Sequence, residues 1–358
     1  MTEEKIRYVF DSFDHKGQFD SFEELASGHI NDTYLIRSNI KPNFVLQRIN
    51  HKVFKDVVGM INNKVNISRH LQQKLKHLNE DELKSRVLSF VNTNDGDEYF
   101  KDNDGYYWNM TIYIEDSKTI EVVNSKDIAY EAGKLFGEFL KHTEDFNVTD
   151  LVEVIPDFHK MSYRYSIFEK AVSDSSKERL EDALPYINIV NQLNKEMHIL
   201  EEMTNIGHFK IRVTHNDTKI SNALFDKNNK GLCVIDTDTV MPGIVHFDFG
   251  DSIRTICNLA AEDETDLDKV NFNFSYYSSY KQGFLGALGN SLSEVEVEYL
   301  PLGVKTTIFI MALRFLTDYL MNDVYYKTEY PKHNLDRAKN QFKLIESFTK
   351  QSSQQRQS

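Results

Sequence analysis

The chain has 358 residues, 40% of them hydrophobic, which is enough for two lobes with cores of their own. It carries 55 acidic against 42 basic side chains, a formal charge of −13, and a sequence pI near 5.4. That balance excludes the basic surface with which a nucleic-acid binder gathers phosphates.

The N-terminus, Met1-Thr2-Glu3-Glu4-Lys5, is charged and opens no apolar signal region. From about Phe22 to Ile114 the pattern is β-rich with a single helix. Strands are expected at 22–26, 33–37, 44–48, 87–90 and 108–114. A helix is expected over 53–75, where Val53, Val57, Met60, Ile61, Val65 and Leu71 recur at helical spacing. Residues 92–105, rich in Asp, Asn and Gly, read as an exposed hairpin or loop. Beyond Glu115 the character turns helical, with helices expected at 127–142, 162–172, 176–184 and 187–203. After an interrupting β-hairpin, helices resume at 272–288, 292–299, 304–321 and 334–349, and the polar residues 351–358 fray. The longest apolar run, Ile308 to Leu313, is too short to span a bilayer. No period of about 20 to 50 residues recurs. Cys233 and Cys257 make no disulfide framework and read as reduced small hydrophobes of a cytoplasmic protein. The expected architecture is α+β and bilobal. Residues 1–115 form a small β-rich N-lobe and 116–358 a large, mainly helical C-lobe, with a ligand cleft between them.

The chemistry concentrates in Val213-Thr214-His215-Asn216-Asp217-Thr218-Lys219-Ile220-Ser221-Asn222 and in Val234-Ile235-Asp236-Thr237-Asp238. Ala223-Leu224-Phe225-Asp226 and Leu232-Cys233-Val234-Ile235 flank a five-residue hairpin loop. Pairing Asp226 with Leu232 pairs Ala223 with Ile235 and sets Asn222 opposite Asp236. An amide oxygen beside a carboxylate, with oxygen ligands only, suits Mg²⁺ better than zinc. A literal Asp248-Phe249-Gly250 also occurs, but beyond Met241-Pro242-Gly243, so it does not emerge at the strand end facing Asn222. Asp236 therefore takes the metal role. Asp248 belongs to a structural turn, and Asp251 with Arg254 forms a buried ion pair holding the loop.

The pattern H-x-D-x-K-x-x-N followed by an I-D strand end is similar to the catalytic and metal segments of kinase-like phosphotransferases. Further matches are Gly28-His29-Ile30-Asn31-Asp32-Thr33-Tyr34, Met241-Pro242-Gly243, Phe247 through Arg254, Arg314 through Leu320 and Tyr330 through Leu335. Over nearly its whole length the chain thus resembles the aminoglycoside phosphotransferase/choline kinase superfamily, and within it the bacterial N-acetylhexosamine 1-kinases. The resemblance implies a protein-kinase-like fold and transfer of the ATP γ-phosphoryl group, with Mg²⁺, to the anomeric hydroxyl of GlcNAc or GalNAc. It implies that Asp217 accepts the hydroxyl proton, that Lys219 neutralises the γ-phosphate, and that Asn222 and Asp236, with Asp238, hold Mg²⁺. Gly28, Gln47 and Glu115 would meet the nucleotide; His29, Asn31, Arg314 and Tyr325, with Asp217, would meet the sugar. His215 reads as a structural histidine that fixes the loop. From the residues alone, Gly28–Tyr34 fits an ordinary hairpin turn as well, and Arg314 a plain pair with Asp318 one turn on.

One departure stands out. The strand Phe44-Val45-Leu46-Gln47-Arg48 should carry a phosphate-binding cation after Leu46, yet Gln47 is there, and the usual helix glutamate would fall near Asn66, another amide. Losing both charges together avoids burying an unpaired one. Phosphate recognition would then lean on Lys219, the metal and loop amides. An aminoglycoside, choline or homoserine acceptor would keep the same chemistry, and a nucleotide-binding pseudokinase is the alternative of another class. The expected partners are ATP and a small sugar, without nucleic acid or membrane, the chain acting as a monomer or weak dimer.

Overall fold

The computed structural model describes residues 1–25 and 31–355. Its first element departs from the sequence reading. Helix α1 (Glu3–Phe10) starts where the Thr2 hydroxyl accepts the Lys5 amide, with Glu3 and Glu4 in the first turn. Ile6, Val9 and Phe10, at helical spacing, are fully buried against the sheet that follows. Strands β1 (Phe19–Glu24), β2 (Asp32–Ser38) and β3 (Phe44–Ile49) pair antiparallel in succession. After α2 (Val57–Lys74) and a short α3 (Glu80–Arg86) come β4 (Phe90–Val91), β5 (Phe100–Lys101) and β6 (Tyr107–Ile112). The strand order is β1-β2-β3-β6-β4, with β5 also on β6. The unforeseen α3 opens on a complete capping box of Asn79 and Glu82, and β5 lies inside the stretch expected to be a hairpin or loop, pairing antiparallel with β6.

Side chains alternate across a strand, which decides what each face of the sheet offers. Phe44 and Leu46 of β3 join Tyr34, Trp108 and Met110 under α1. Gln47 looks to the other face, beside Asn109 of β6, whose amide approaches it at 3.5 Å. Arg48 turns back and pairs with Asp32 across the strand.

The rest is mainly helical: α4 (Lys126–His142), α5 (Met161–Asp174), α6 (Lys177–Met197) and α7 (Ile199–Asn205). A β excursion follows, in which β7 (Arg212–Thr214) pairs with β10 (Met241–Gly243) around the hairpin of β8 (Ala223–Phe225) and β9 (Gly231–Val234). Then come α8 (Val245–Ile256), α9 (Phe274–Leu288), α10 (Glu294–Leu320) and α11 (His333–Gln355). This is the expected α+β plan, an antiparallel sheet region followed by a mostly helical one. The link between them is pinned to the β-hairpin, since Lys118 and Phe225 exchange backbone hydrogen bonds at 2.9 Å.

Two expected helix breaks do not occur. Pro185 lies inside α6 and Pro301 inside α10. Each proline removes one i→i−4 bond, but buried Ala183 and Val190 in α6, and Leu300 and Val304 in α10, hold both halves to the core. Because it is continuous, α10 is by length and composition long and apolar enough to cross a membrane, which the short apolar run does not reveal. In this fold 72% of its apolar window is buried, so it serves as a core helix. Helix α11 also outlasts its expected end, with the Gln351 amide bonded to the Phe272 carbonyl at 2.6 Å.

Helices α4 and α9 approach so closely that a Cβ on Gly133 would lie 2.2 Å from the Tyr280 carbonyl oxygen. Cys233 and Cys257 are buried, and burial pushes the Cys233 thiol up to about 12 and raises Cys257 as well. Neither thiol should react with a disulfide reagent at pH 8 in the native protein, and both should react in denaturant. Rapid native labelling of either would contradict this packing.

Candidate active site

Strand β7 delivers the chain into a loop at His215, and α8 holds that loop from below. The Asp248 carboxylate accepts the backbone amides of His215 at 2.8 Å and Asn216 at 2.7 Å. The Thr218 hydroxyl donates to the Asp248 carbonyl at 2.5 Å, and the Ser252 hydroxyl donates to the Thr218 carbonyl at 2.8 Å. Asp248 is therefore a loop anchor on a helix, where the sequence reading placed it in a turn. Burial pushes its carboxyl up to about 7 against the pull of the two amides. Asp251 and Arg254 form the expected buried pair at 3.0 Å, extended to Glu262 at 2.6 Å. The buried His215 ring is held below its ordinary pKa by desolvation and is neutral. Its Nε2 lies 2.9 Å from the Ile235 carbonyl, so Nε2 carries the proton and Nδ1 accepts the Asp217 amide at 3.3 Å.

So held, the loop presents Asp217. Its Oδ2 accepts Lys219 Nζ at 3.0 Å and Asn222 Nδ2 at 2.9 Å. Burial pushes this carboxyl up, but the charge of Lys219 and the hydrogen bonds from Lys219 and Asn222 outweigh it and hold it below the usual range. Burial likewise lowers Lys219, while Asp217 and Asp236 more than compensate and raise it to about 12.

The hairpin that follows is offset by one residue from the expected register. Ala223 pairs with Val234, and the Ile235 amide donates to the Asn222 carbonyl at 2.9 Å. The Asp226 carboxylate closes a tighter loop by accepting the Asn228 and Lys230 amides, and a bulge between Leu224 and Phe225 takes up part of the difference. Asn222 thus faces Ile235 rather than Asp236. Asp236 comes next, in a left-handed conformation with φ 57° and ψ 54°, which Asp tolerates better than most residues. Its carboxylate has no hydrogen-bond partner among the described residues. Burial, Asp238 and Asp217 together push it up to about 7, against Lys219 and Lys64. Asn222 uses its amide nitrogen on Asp217, which leaves its oxygen as the free end.

A loop carboxylate bonded to a lysine two residues on, next to an unpartnered carboxylate at a strand end, is the layout of a phosphoryl-transfer site. The chain matches the phosphotransferase enzyme family, APH, over residues 21–270. It belongs to that family. Its fold is similar to the crystal structure of an aminoglycoside phosphotransferase from Alicyclobacillus acidocaldarius, at 12% identity over 97% of this chain and 96% of that one, with a TM-score of 0.62. It is also similar to amicoumacin kinase in complex with AMP-PNP, Ca²⁺ and its ligand, at 12% identity, 97% and 94% coverage and a TM-score of 0.64. A microcompartment-associated aminopropanol kinase matches at 13% identity, 97% and 98% coverage and a TM-score of 0.60. At such identities the likeness is one of fold.

Against that family background, the region around Asp238 corrects three expectations. Asp238 was expected at the metal, but its carboxylate accepts Lys64 Nζ, Asn31 Nδ2 and Gln47 Nε2, the last at 3.2 Å. Asn31 was expected to touch substrate, but both ends of its amide are engaged, since its Oδ1 also accepts the Asn50 amide at 2.7 Å. Next to Gln47, where β3 lacks a cation, stands Lys64 of α2, which bonds Gln47 Oε1 at 2.9 Å. The sequence held the signal: Lys64 falls on the helical stripe of Val57, Met60 and Ile61, where a charge needs a partner. The Glu115 carboxylate accepts Lys41 at 2.5 Å and Asn43 at 3.0 Å, both on Oε1. Gly28 and His29 lie outside the described residues.

A second group of side chains assembles around Arg314. Arg314 lies over the rings of Phe158, Tyr325 and Tyr326 at 5.5, 5.7 and 5.5 Å. It does not pair with Asp318, whose carboxylate instead accepts the Tyr325 and Tyr326 amides and the Asn334 side chain, and so shapes the segment carrying those rings. Arg164 donates to the Phe158 carbonyl at 2.7 Å and is lowered to about 10 by burial and by Arg314. The His159 ring stacks on Phe247 at 4.4 Å. Burial, Arg164 and Arg314 lower it to about 3, and the charge of Asp217 is close enough to oppose them. Both His159 nitrogens and the Tyr326 hydroxyl are buried without a hydrogen-bond partner among the described residues. Sequence reasoning named Arg314 and Tyr325 but missed His159, Arg164 and Tyr326, since three separate segments build this wall.

Proposed function

We propose that this phosphotransferase moves the γ-phosphoryl group of ATP to the 1-hydroxyl of an N-acetylhexosamine, giving the sugar 1-phosphate. Asp217 receives the proton of the attacking hydroxyl. An anomeric hydroxyl is more acidic than an ordinary alcohol because its carbon bears two oxygens. A carboxylate held below its usual pKa is then a sufficient base. Lys219, fully charged beside it, stabilises the charge on the transferring group. Asn222 and Asp236 fit a divalent cation: one unpartnered carboxylate and one amide oxygen, all hard donors, few enough that water and phosphate complete the shell as Mg²⁺ prefers. Bound there, the cation neutralises and orients the phosphates.

The observation that carries the sugar reading is the charge of the acceptor wall. Arg164 and Arg314 have no carboxylate partner among the described residues, and His159 is neutral beside them. Such a wall opposes a cationic aminoglycoside or choline. It suits hydroxyls and an acetamide carbonyl, with aromatic rings for the sugar face. Homoserine, which brings a carboxylate, is the second acceptor this wall would accept.

Initial rates with GlcNAc, GalNAc, glucose, homoserine, choline and kanamycin test the reading. Turnover should be confined to the N-acetyl sugars, and Arg314→Ala should raise the sugar KM about 10-fold or more while leaving the ATP KM in place. Preference for choline or kanamycin would overturn it.

A further inference from the structure

The phosphotransfer plan common to kinases uses a lysine on the third strand, paired with a helix glutamate, to hold nucleotide phosphates. Here the strand position is Gln47 and the helix position facing it is Lys64. We propose that Lys64 is the lysine that binds the nucleotide phosphates, supplied from α2 instead of β3, and that Asp238 is its positioning carboxylate rather than a metal ligand. The ion pair has been turned around: cation on the helix, carboxylate on the segment after the metal strand.

Three features support this. Lys64 and Asp238 are each almost wholly buried, at 4% and 6% exposure, and a buried ion pair adds little net stability, so packing alone does not account for it. The pair sits where four elements meet. Asn31 at the start of β2, Gln47 on β3, Lys64 on α2 and Asp238 two residues past Asp236 all join one hydrogen-bonded cluster. Gln47 also fits its place, since its oxygen accepts Lys64 while its nitrogen donates to Asp238, fixing the lysine without a second charge. Charge balance points the same way. Asp217, Asp236 and Asp238 face Lys64 and Lys219, a net of −1, which a divalent cation turns to +1 for a polyanionic nucleotide. Without Lys64 the same cleft would hold one cationic side chain against three carboxylates.

The inference rests only on the nucleotide-using half of the proposed function, and its test needs no acceptor. Binding of AMP-PNP should be titrated at several Mg²⁺ concentrations to the wild type, Lys64→Gln, Asp238→Asn, the double variant, and the swap Gln47→Lys with Lys64→Gln. Lys64→Gln should weaken the nucleotide about 10- to 100-fold. Asp238→Asn should weaken it in the same direction without moving the Mg²⁺ midpoint, and the double variant should be no worse than the weaker single one. The swap, which conserves charge and returns the lysine to the strand, should recover most of the affinity even if Lys64→Gln alone folds poorly. Wild-type affinity in Lys64→Gln would overturn the proposal, as would a shifted Mg²⁺ midpoint in Asp238→Asn with nucleotide affinity unchanged at saturating Mg²⁺.

Discussion

Replacing Asp217 with Asn should lower kcat by about 10²- to 10⁴-fold, the range expected when a positioned base is removed. AMP-PNP should bind as before, because the one remaining oxygen can accept both Lys219 and Asn222, as Oδ2 does in the wild type, and Asp236 makes no bond to this side chain. The thermal midpoint should change little, since the side chain is only partly buried and its partners remain satisfiable. Stopped-assay rates, nucleotide titration and a melting curve on one preparation check all three points. An Asp217→Asn protein with wild-type kcat would remove the base from the mechanism, whatever the acceptor proves to be.

The second large effect is expected at Asp248. Its carboxylate is what the buried His215 and Asn216 amides bond to, and truncation to Ala leaves both donors without a partner. Each unsatisfied buried amide costs about 1–3 kcal/mol, so Asp248→Ala should destabilise the fold by roughly 2–5 kcal/mol in chemical denaturation. Activity should fall as well, by about 10²-fold in whatever fraction stays folded, because Asp217 is placed by that backbone. Asp248→Asn keeps one acceptor oxygen and should fall between. If instead Asp248→Ala folded normally and lost only its Mg²⁺ dependence, the literal Asp-Phe-Gly would be the metal motif and Asp236 would not.

How much of this was legible in the sequence depended on whether the signal was local. The segment after β7 is a single run, and the order of its residues was enough to single out Asp217, Lys219 and Asn222, which the fold brings into contact. The position of Asp248 after Met241-Pro242-Gly243 was enough to separate it from the strand end at Asp236, though not to place it on a helix. The hairpin register failed by one residue because the Asp226 side chain closes the loop on its own backbone, an Asx interaction that alternation of apolar residues does not report. The prolines misled because propensity marks Pro185 and Pro301 as breaks, while buried neighbours on both sides decide otherwise. Helix α1 was overlooked despite a readable cap and stripe. Lys64 was missed for another reason: the family pattern points to a glutamate on the helix, and a lysine there falls outside it. The cluster of His159, Arg164, Arg314 and Tyr326, proposed to face the acceptor, is assembled from segments about 150 residues apart, and only the fold brings them together.

On the proposed reading the reacting group is the anomeric hydroxyl of an N-acetylhexosamine. Phosphorus NMR of a mixture of the protein, ATP, Mg²⁺ and GlcNAc or GalNAc tests it most directly, because the coupling of the product phosphorus to a single sugar proton reports which oxygen was phosphorylated. The expected result is a sugar 1-phosphate signal growing with that of ADP, absent with choline and kanamycin. Phosphate on any other hydroxyl, or no product from either N-acetyl sugar while another acceptor in the panel is phosphorylated, would contradict it.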